Sequence, residues 1–193
     1  MQRLFAILTI GTALTVNSSV NAAGFEGVQV TAIGYCCTSP TESNRVTVPV
    51  TKIVESLIEF PSGSIQAING DRLVGTDIDI GTSTIAYNFR LDVNYPYGLF
   101  NGIVYDFSGP NLPTIVGVSL DPRSSFAASQ VGLSFDTDTV RINVPGLRAW
   151  PGALVLVDVE YVPNVPEPET YTMLLAGLGL VSFMARRRKI SST

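Results

Sequence analysis

Cys36 and Cys37 are the only cysteines, and they are adjacent, in the segment Gly34-Tyr35-Cys36-Cys37-Thr38-Ser39-Pro40. Thiolate metal sites need spaced thiols and further ligands. Neither is present, so no metal site is expected. In an oxidising compartment adjacent thiols can close a vicinal disulfide, bridge to another chain or stay reduced. A vicinal bridge in this loop would be a rigid element rather than an active site. Asp77-x-Asp79 and Asp136-x-Asp138 each put two carboxylates on one strand face. That spacing can feed calcium, which takes about six to eight oxygens, and paired carboxylates can hydrolyse glycosides. It also describes the solvent face of a strand or a turn. No Asp-x-Asp-x-Asp-Gly loop occurs, and nothing selects a catalytic pair among the acids. Trp150, Tyr95 and Tyr97 stand beside proline turns. They could stack on sugar rings, or serve as ordinary turn and core aromatics.

The chain has no histidine. That removes Ser-His-Asp triads, Cys-His dyads and imidazole metal sites together. No catalytic residue and no cofactor are expected. Between Ala23 and Asn164, seven basic residues (Arg45, Lys52, Arg72, Arg90, Arg123, Arg141 and Arg148) stand against fourteen acidic ones, a formal charge of −7. The basic residues are scattered singly, so there is no phosphate-tracking stripe, and nucleic acid is not expected as a partner.

The elements that must position these residues are strands. Ile85, Tyr87, Phe89, Leu91 and Val93 alternate with Ala86, Asn88, Arg90 and Asp92, the period of a half-buried strand. The same alternation predicts inward residues at Ile103, Tyr105 and Phe107; at Val116, Val118 and Leu120; at Val131, Leu133 and Phe135; at Val140, Ile142 and Val144; and at Val155, Val157, Val159 and Tyr161. Earlier candidate strands are Val28–Ala32, Val46–Val50, Ile53–Phe60 and Asp77–Ile80. Turn signals such as Pro61-Ser62-Gly63, Asn101-Gly102 and Trp150-Pro151-Gly152 punctuate the runs. Many short strands with Gly/Pro turns predict an all-β fold, an antiparallel β-sandwich or jelly roll over residues 23–164, with a closed barrel as the alternative.

Both ends read differently. Arg3, an apolar run over Leu4–Val16 and the small residues Ala22 and Ala23 form the three regions of a secretory signal peptide. Cleavage is expected after Ala22, or else at Ala23. At the other end, Pro166-Glu167-Pro168 cannot be helix interior, since proline removes donors and fixes φ. Tyr171–Ala185 carries no charge and predicts an apolar helix of roughly 22 Å, a short single transmembrane segment against a hydrocarbon core of about 30 Å. Arg186, Arg187, Arg188 and Lys189 then stop transfer and hold that end on the cytoplasmic side.

Pro-Glu-Pro, a Leu- and Gly-rich apolar segment and a terminal basic cluster, in that order over Val165–Lys189, resemble the PEP-CTERM sorting signal of Gram-negative bacteria and cyanobacteria. The same segment is also named an ice-binding-protein C-terminal domain. Regular Thr-x-Thr arrays that would present a flat ice-binding face are absent. The resemblance implies an exosortase that recognises Pro166-Glu167-Pro168 and cuts nearby. It also implies a transient stay in the inner membrane, then release or attachment at the cell surface or in exopolysaccharide. Gly102–Tyr161 resembles a β-domain common in such proteins, one with no assigned chemistry. The expected function is a non-catalytic surface or matrix protein, structural or adhesive. The alternative is a carbohydrate-binding module, and a secreted carboxylate hydrolase is disfavoured by the missing histidine.

Overall fold

A computed structural model describes residues 24–70, 75–110, 112–163 and 174–182. Eleven strands are named along the β region: β1 (Gln29–Cys36), β2 (Val50–Ile53), β3 (Thr76–Ile80), β4 (Thr84–Phe89), β5 (Val93–Asn94), β6 (Asn101–Ser108), β7 (Thr114–Leu120), β8 (Gly132–Phe135), β9 (Thr139–Asn143), β10 (Arg148–Ala149) and β11 (Leu154–Val162). The protein is thus mostly β. One sheet runs β2-β1-β6-β9-β8, a second β3-β4-β11-β7, and β5 pairs with β10 in a two-stranded ribbon. Every pairing between named strands is antiparallel.

The alternation explains the core. Ile85, Tyr87 and Phe89 of β4 are buried, and Thr84, Ala86 and Asn88 between them are half-buried. Val140, Ile142 and Val144 are fully buried, as are Val155 and Val157. Both large sheets feed one apolar cluster, which includes Val30, Phe107 and Ile142 from the first and Ile78, Phe89 and Val157 from the second. Each such side chain stabilises the fold by roughly 1.5–3 kcal/mol relative to exposure. One polar contact crosses this core: the Tyr105 hydroxyl of β6 donates to the Tyr87 hydroxyl of β4 at 2.7 Å. Burial drives both phenol pKa values well above the ordinary 10.0. The hydrogen bond is what makes two buried hydroxyls tolerable.

Several expectations need correction. Leu91 is 60% exposed, because the Arg90 and Leu91 N–H groups both turn to the Gly75 carbonyl, at 2.8 and 3.2 Å, and end β4. Val93 belongs to β5 instead. Val116 is 49% exposed while Ile115 is buried. The register between β7 and β11 shifts at Glu160/Tyr161, and a bulge of this kind reverses which side chains face inward. Val118 and Leu120 keep their inward side. Phe135, at the end of β8, is 39% exposed.

Only Val50 of Val46–Val50 lies in a strand. The rest is a crossing loop, held by Val46 N–H to the Gly34 carbonyl, Val48 N–H to Gln66 and Ile68 N–H to Val46. Of Ile53–Phe60, only Ile53 lies in a named strand, as the end of β2. There Glu59, only 6% exposed, accepts the Glu55 N–H at 2.9 Å and the Ile80 N–H at 2.7 Å. A carboxylate takes the place of a neighbouring strand. Phe60 then bridges to Ile78 and covers the edge of β3.

The apolar helix expected over 171–185 is described at 174–182, where it is helical and exposed. That stretch rises roughly 13 Å at about 1.5 Å per residue. No helix among the described residues is long and apolar enough to cross a membrane.

Candidate functional site

The sorting residues Pro166, Glu167 and Pro168, the basic cluster Arg186, Arg187, Arg188 and Lys189, and the cleavage residues Ala22 and Ala23 lie outside the described residues. The other candidates gather around the β5/β10 ribbon and the loop that follows β5.

This ribbon is built by short-range constraints rather than by periodicity. Arg148 pairs with Asn94 and Ala149 with Val93. Beyond the ribbon, the Tyr95 N–H donates to the Leu147 carbonyl at 2.9 Å and the Gly146 N–H to the Pro96 carbonyl at 3.2 Å. Two asparagines hold the loop down. The Asn101 Nδ2 donates to the Pro96 carbonyl at 2.8 Å, and the Asn143 Nδ2 to the Leu99 carbonyl at 3.0 Å. The Asn143 Oδ1 accepts the Asn101 N–H at 2.7 Å.

Cys36 and Cys37 are bonded to one another, with the sulfurs 2.03 Å apart. Cys37 has φ 85°, the left-handed region that non-glycine residues seldom occupy. The loop seats this bridge closely. The Cys37 N–H donates to the Phe100 carbonyl at 2.6 Å and the Leu99 N–H to the Cys37 carbonyl at 3.0 Å. A Cβ at Gly98 would stand 2.6 Å from the Cys37 carbonyl oxygen, so only glycine lets the loop come this near. Beneath lies a cavity of about 230 Å³, lined among others by Tyr35, Cys36, Thr47, Tyr95 and Ile103.

The three candidate aromatics divide. Tyr95 faces inward, its ring edge-on to Phe89 at 6.5 Å, and burial pushes its phenol up to about 12. It is a packing residue. Tyr97 is 85% exposed and Trp150 52% exposed. Tyr97 lies over Gly146, where a Cβ would meet the ring at 2.3 Å and where φ is +71°; glycine both allows the turn and seats the ring. Trp150 rests on Phe126, centroids 5.5 Å apart. Along the β5/β10 ribbon runs a shallow groove of about 380 Å³, lined by Asp92, Val93, Asn94, Arg148 and Ala149; Trp150 is the next residue after its last lining residue, and Tyr97 lies three residues beyond Asn94. Sequence reasoning named the aromatics and missed the groove, because strands of two residues leave no period to read.

The paired aspartates are otherwise engaged. The Asp77 carboxylate accepts the Ser62 N–H at 2.8 Å and pairs with Arg90. Burial alone would raise its pKa, but Ser62 and Arg90 together hold it below the usual carboxylate value. Asp79 is exposed. Asp136 pairs with Arg141 at 2.6 Å, and Asp138 and Asp106 both accept from the Thr139 hydroxyl at 3.1 Å. The first pair of acids caps a sheet edge and the second closes the β8–β9 turn. Among the described residues no group of three or more metal-ligating side chains is gathered.

A family model described as PEP-CTERM protein-sorting motif matches residues 164–189. The chain therefore carries the sorting signal that marks a protein for export and for exosortase-directed sorting to the cell surface. No curated protein matches the chain. No solved structure matches it either.

Proposed function

We propose that this is an exported, non-catalytic surface protein. In this reading residues 1–22 are a signal peptide, residues 23–164 a β-sandwich, and residues 165–189 a tail that exosortase reads and removes. The tail crosses the inner membrane only until it is cut, in a Gram-negative or cyanobacterial envelope. The mature β-domain then serves a structural or adhesive role in exopolysaccharide.

One observation carries this reading: the sorting-motif match at residues 164–189, at the far end of the chain from Met1–Ala22. Two more support it. The apolar cluster shared by both large sheets suits a sandwich, and Tyr105 and Tyr87 tie the sheets together. The buried acids Glu59 and Asp77 are spent on backbone N–H groups and Arg90, which suits a scaffold better than a hydrolase.

Glu167→Ala or Pro168→Ala tests the processing. The expected outcome is a longer chain that stays with the membrane fraction. Intact mass of the secreted protein reads this directly, and a mature mass unchanged by either substitution would overturn the processing route.

A further inference from the structure

We infer that the outer face of the β5/β10 ribbon is a binding groove for a neutral polysaccharide chain, with Trp150 and Tyr97 as its stacking surfaces. The register sets the layout. Ala149 and Val93 face inward as one pair, so the pair Arg148 and Asn94 faces outward. Trp150 follows Ala149 at one end of the ribbon, and Gly146, with Tyr97 upon it, marks the other. Trp150 is four residue steps from Gly146, roughly 13 Å if extended at about 3.3 Å per residue. That distance accommodates a short run of sugar rings.

The chemistry along the groove points to sugar. The C–H faces of a pyranose pack on aromatic rings, and two such rings stand exposed here. Asp92, Asn94 and Arg148 between them offer a carboxylate, an amide and a guanidinium, which together accept and donate hydrogen bonds. Adjacent hydroxyls on a sugar ring need that mixture. The groove is shallow, so it suits the middle of a chain rather than a chain end. The acidic β-domain, at −7, would repel a polyanionic glycan, which leaves a neutral one. The rings are also pre-set: Phe126 supports Trp150 and Gly146 supports Tyr97, so little side-chain freedom is lost on binding.

This inference rests on the proposed surface role only for the ligand's presence outside the cell. The test is affinity electrophoresis of the full chain through gels containing galactomannan or hydroxyethyl cellulose, with alginate as the polyanion and a proline-rich peptide as competitor. The expected result is retardation by a neutral polymer, weakened roughly fivefold to tenfold by Tyr97→Ala and by Trp150→Ala, and kept by Tyr97→Phe. Trp150 packs on Phe126, so thermal unfolding accompanies each variant. Tyr97→Ala touches no core residue and carries the test if Trp150→Ala unfolds. No retardation by either neutral polymer would overturn the inference. So would retardation by alginate alone, retention unchanged in both alanine variants, or release by the peptide. Each of these leaves the mass of Glu167→Ala unaffected, so the glycan reading and the sorting reading fail separately.

Discussion

Tyr87 and Tyr105 in the core and Tyr97 and Trp150 on the ribbon are the same kind of side chain put to opposite uses. The inner pair is fully buried, edge-on at 6.2 Å, with its hydroxyls bonded to one another. The outer rings are 85% and 52% exposed, Tyr97 lying over Gly146 and Trp150 resting on Phe126. The inner rings are held by the whole core and hold it in turn. Tyr97 is mostly in solvent and Trp150 half so, which leaves ring surface open to a ligand.

Substitutions should separate the two regions by size of effect. Tyr105→Ala removes a buried ring and leaves a cavity; it should cost about 3–5 kcal/mol in urea unfolding. Tyr105→Phe keeps the ring but strands the Tyr87 hydroxyl, at a cost of about 1–3 kcal/mol, whereas the double change to Phe at both positions should restore most of it. A double-Phe protein no more stable than Tyr105→Phe would show that the hydroxyl pair is not the reason. Reduction of Cys36–Cys37 by a dithiol should cost only about 1 kcal/mol, because so small a loop constrains the unfolded chain little. A larger loss would mean that the bridge, through Gly98 and Phe100, also holds the ribbon. Tyr97→Ala should change stability by less than about 0.5 kcal/mol; a larger loss would move Tyr97 into the structural class.

The same comparison appears in pH dependence. Tyr87 and Tyr105 have raised pKa values in the fold because burial disfavours the phenolate. Their contribution is whole below about pH 10, the unfolded value, and is lost as pH rises above it. Asp77 at the edge of β3 is lowered, so its contribution is present above about pH 4 and lost as pH falls through its folded pKa. Unfolding followed across pH should therefore show an alkaline loss that the double Phe variant reduces, with Tyr95 supplying the remainder, and an acid loss that Asp77→Asn reduces. Neither limb should respond to Trp150→Ala.

Much of the core was readable in sequence, and the reasons for the misses are local. Ile85, Tyr87 and Phe89 alternate, and β4 follows them. Leu91 continues the same period, but the Gly75 carbonyl takes its N–H, a long-range event no period records. Val116 continues the period of Val118 and Leu120, but it is the unpaired residue of a bulge: Glu160 pairs with Gly117 and Tyr161 with Ile115, and Val116 is left out of the ladder. Glu59 looked like a polar residue within an apolar run, and the run was read as a strand. Its carboxylate in fact binds two backbone N–H groups, one of them on β3. The adjacent cysteines and the aromatics near prolines were visible as types. Which tyrosine beside Pro96 faces in and which faces out depends on Gly146 and Leu147, some fifty residues away.

β11 is the final strand, and it lies inside its sheet between β4 and β7. The residues after it lead straight into the matched sorting segment. A force applied to the end of β11 along its axis would act on two ladders at once. The hydrogen bonds to β4 and to β7 stand across that axis, so tension loads them together rather than one at a time. A chain tethered this way resists being drawn out of the sheet, and the bulge at Glu160/Tyr161 marks where the β7 ladder would yield first. Drawing β11 out by that end would therefore shear both of its ladders together.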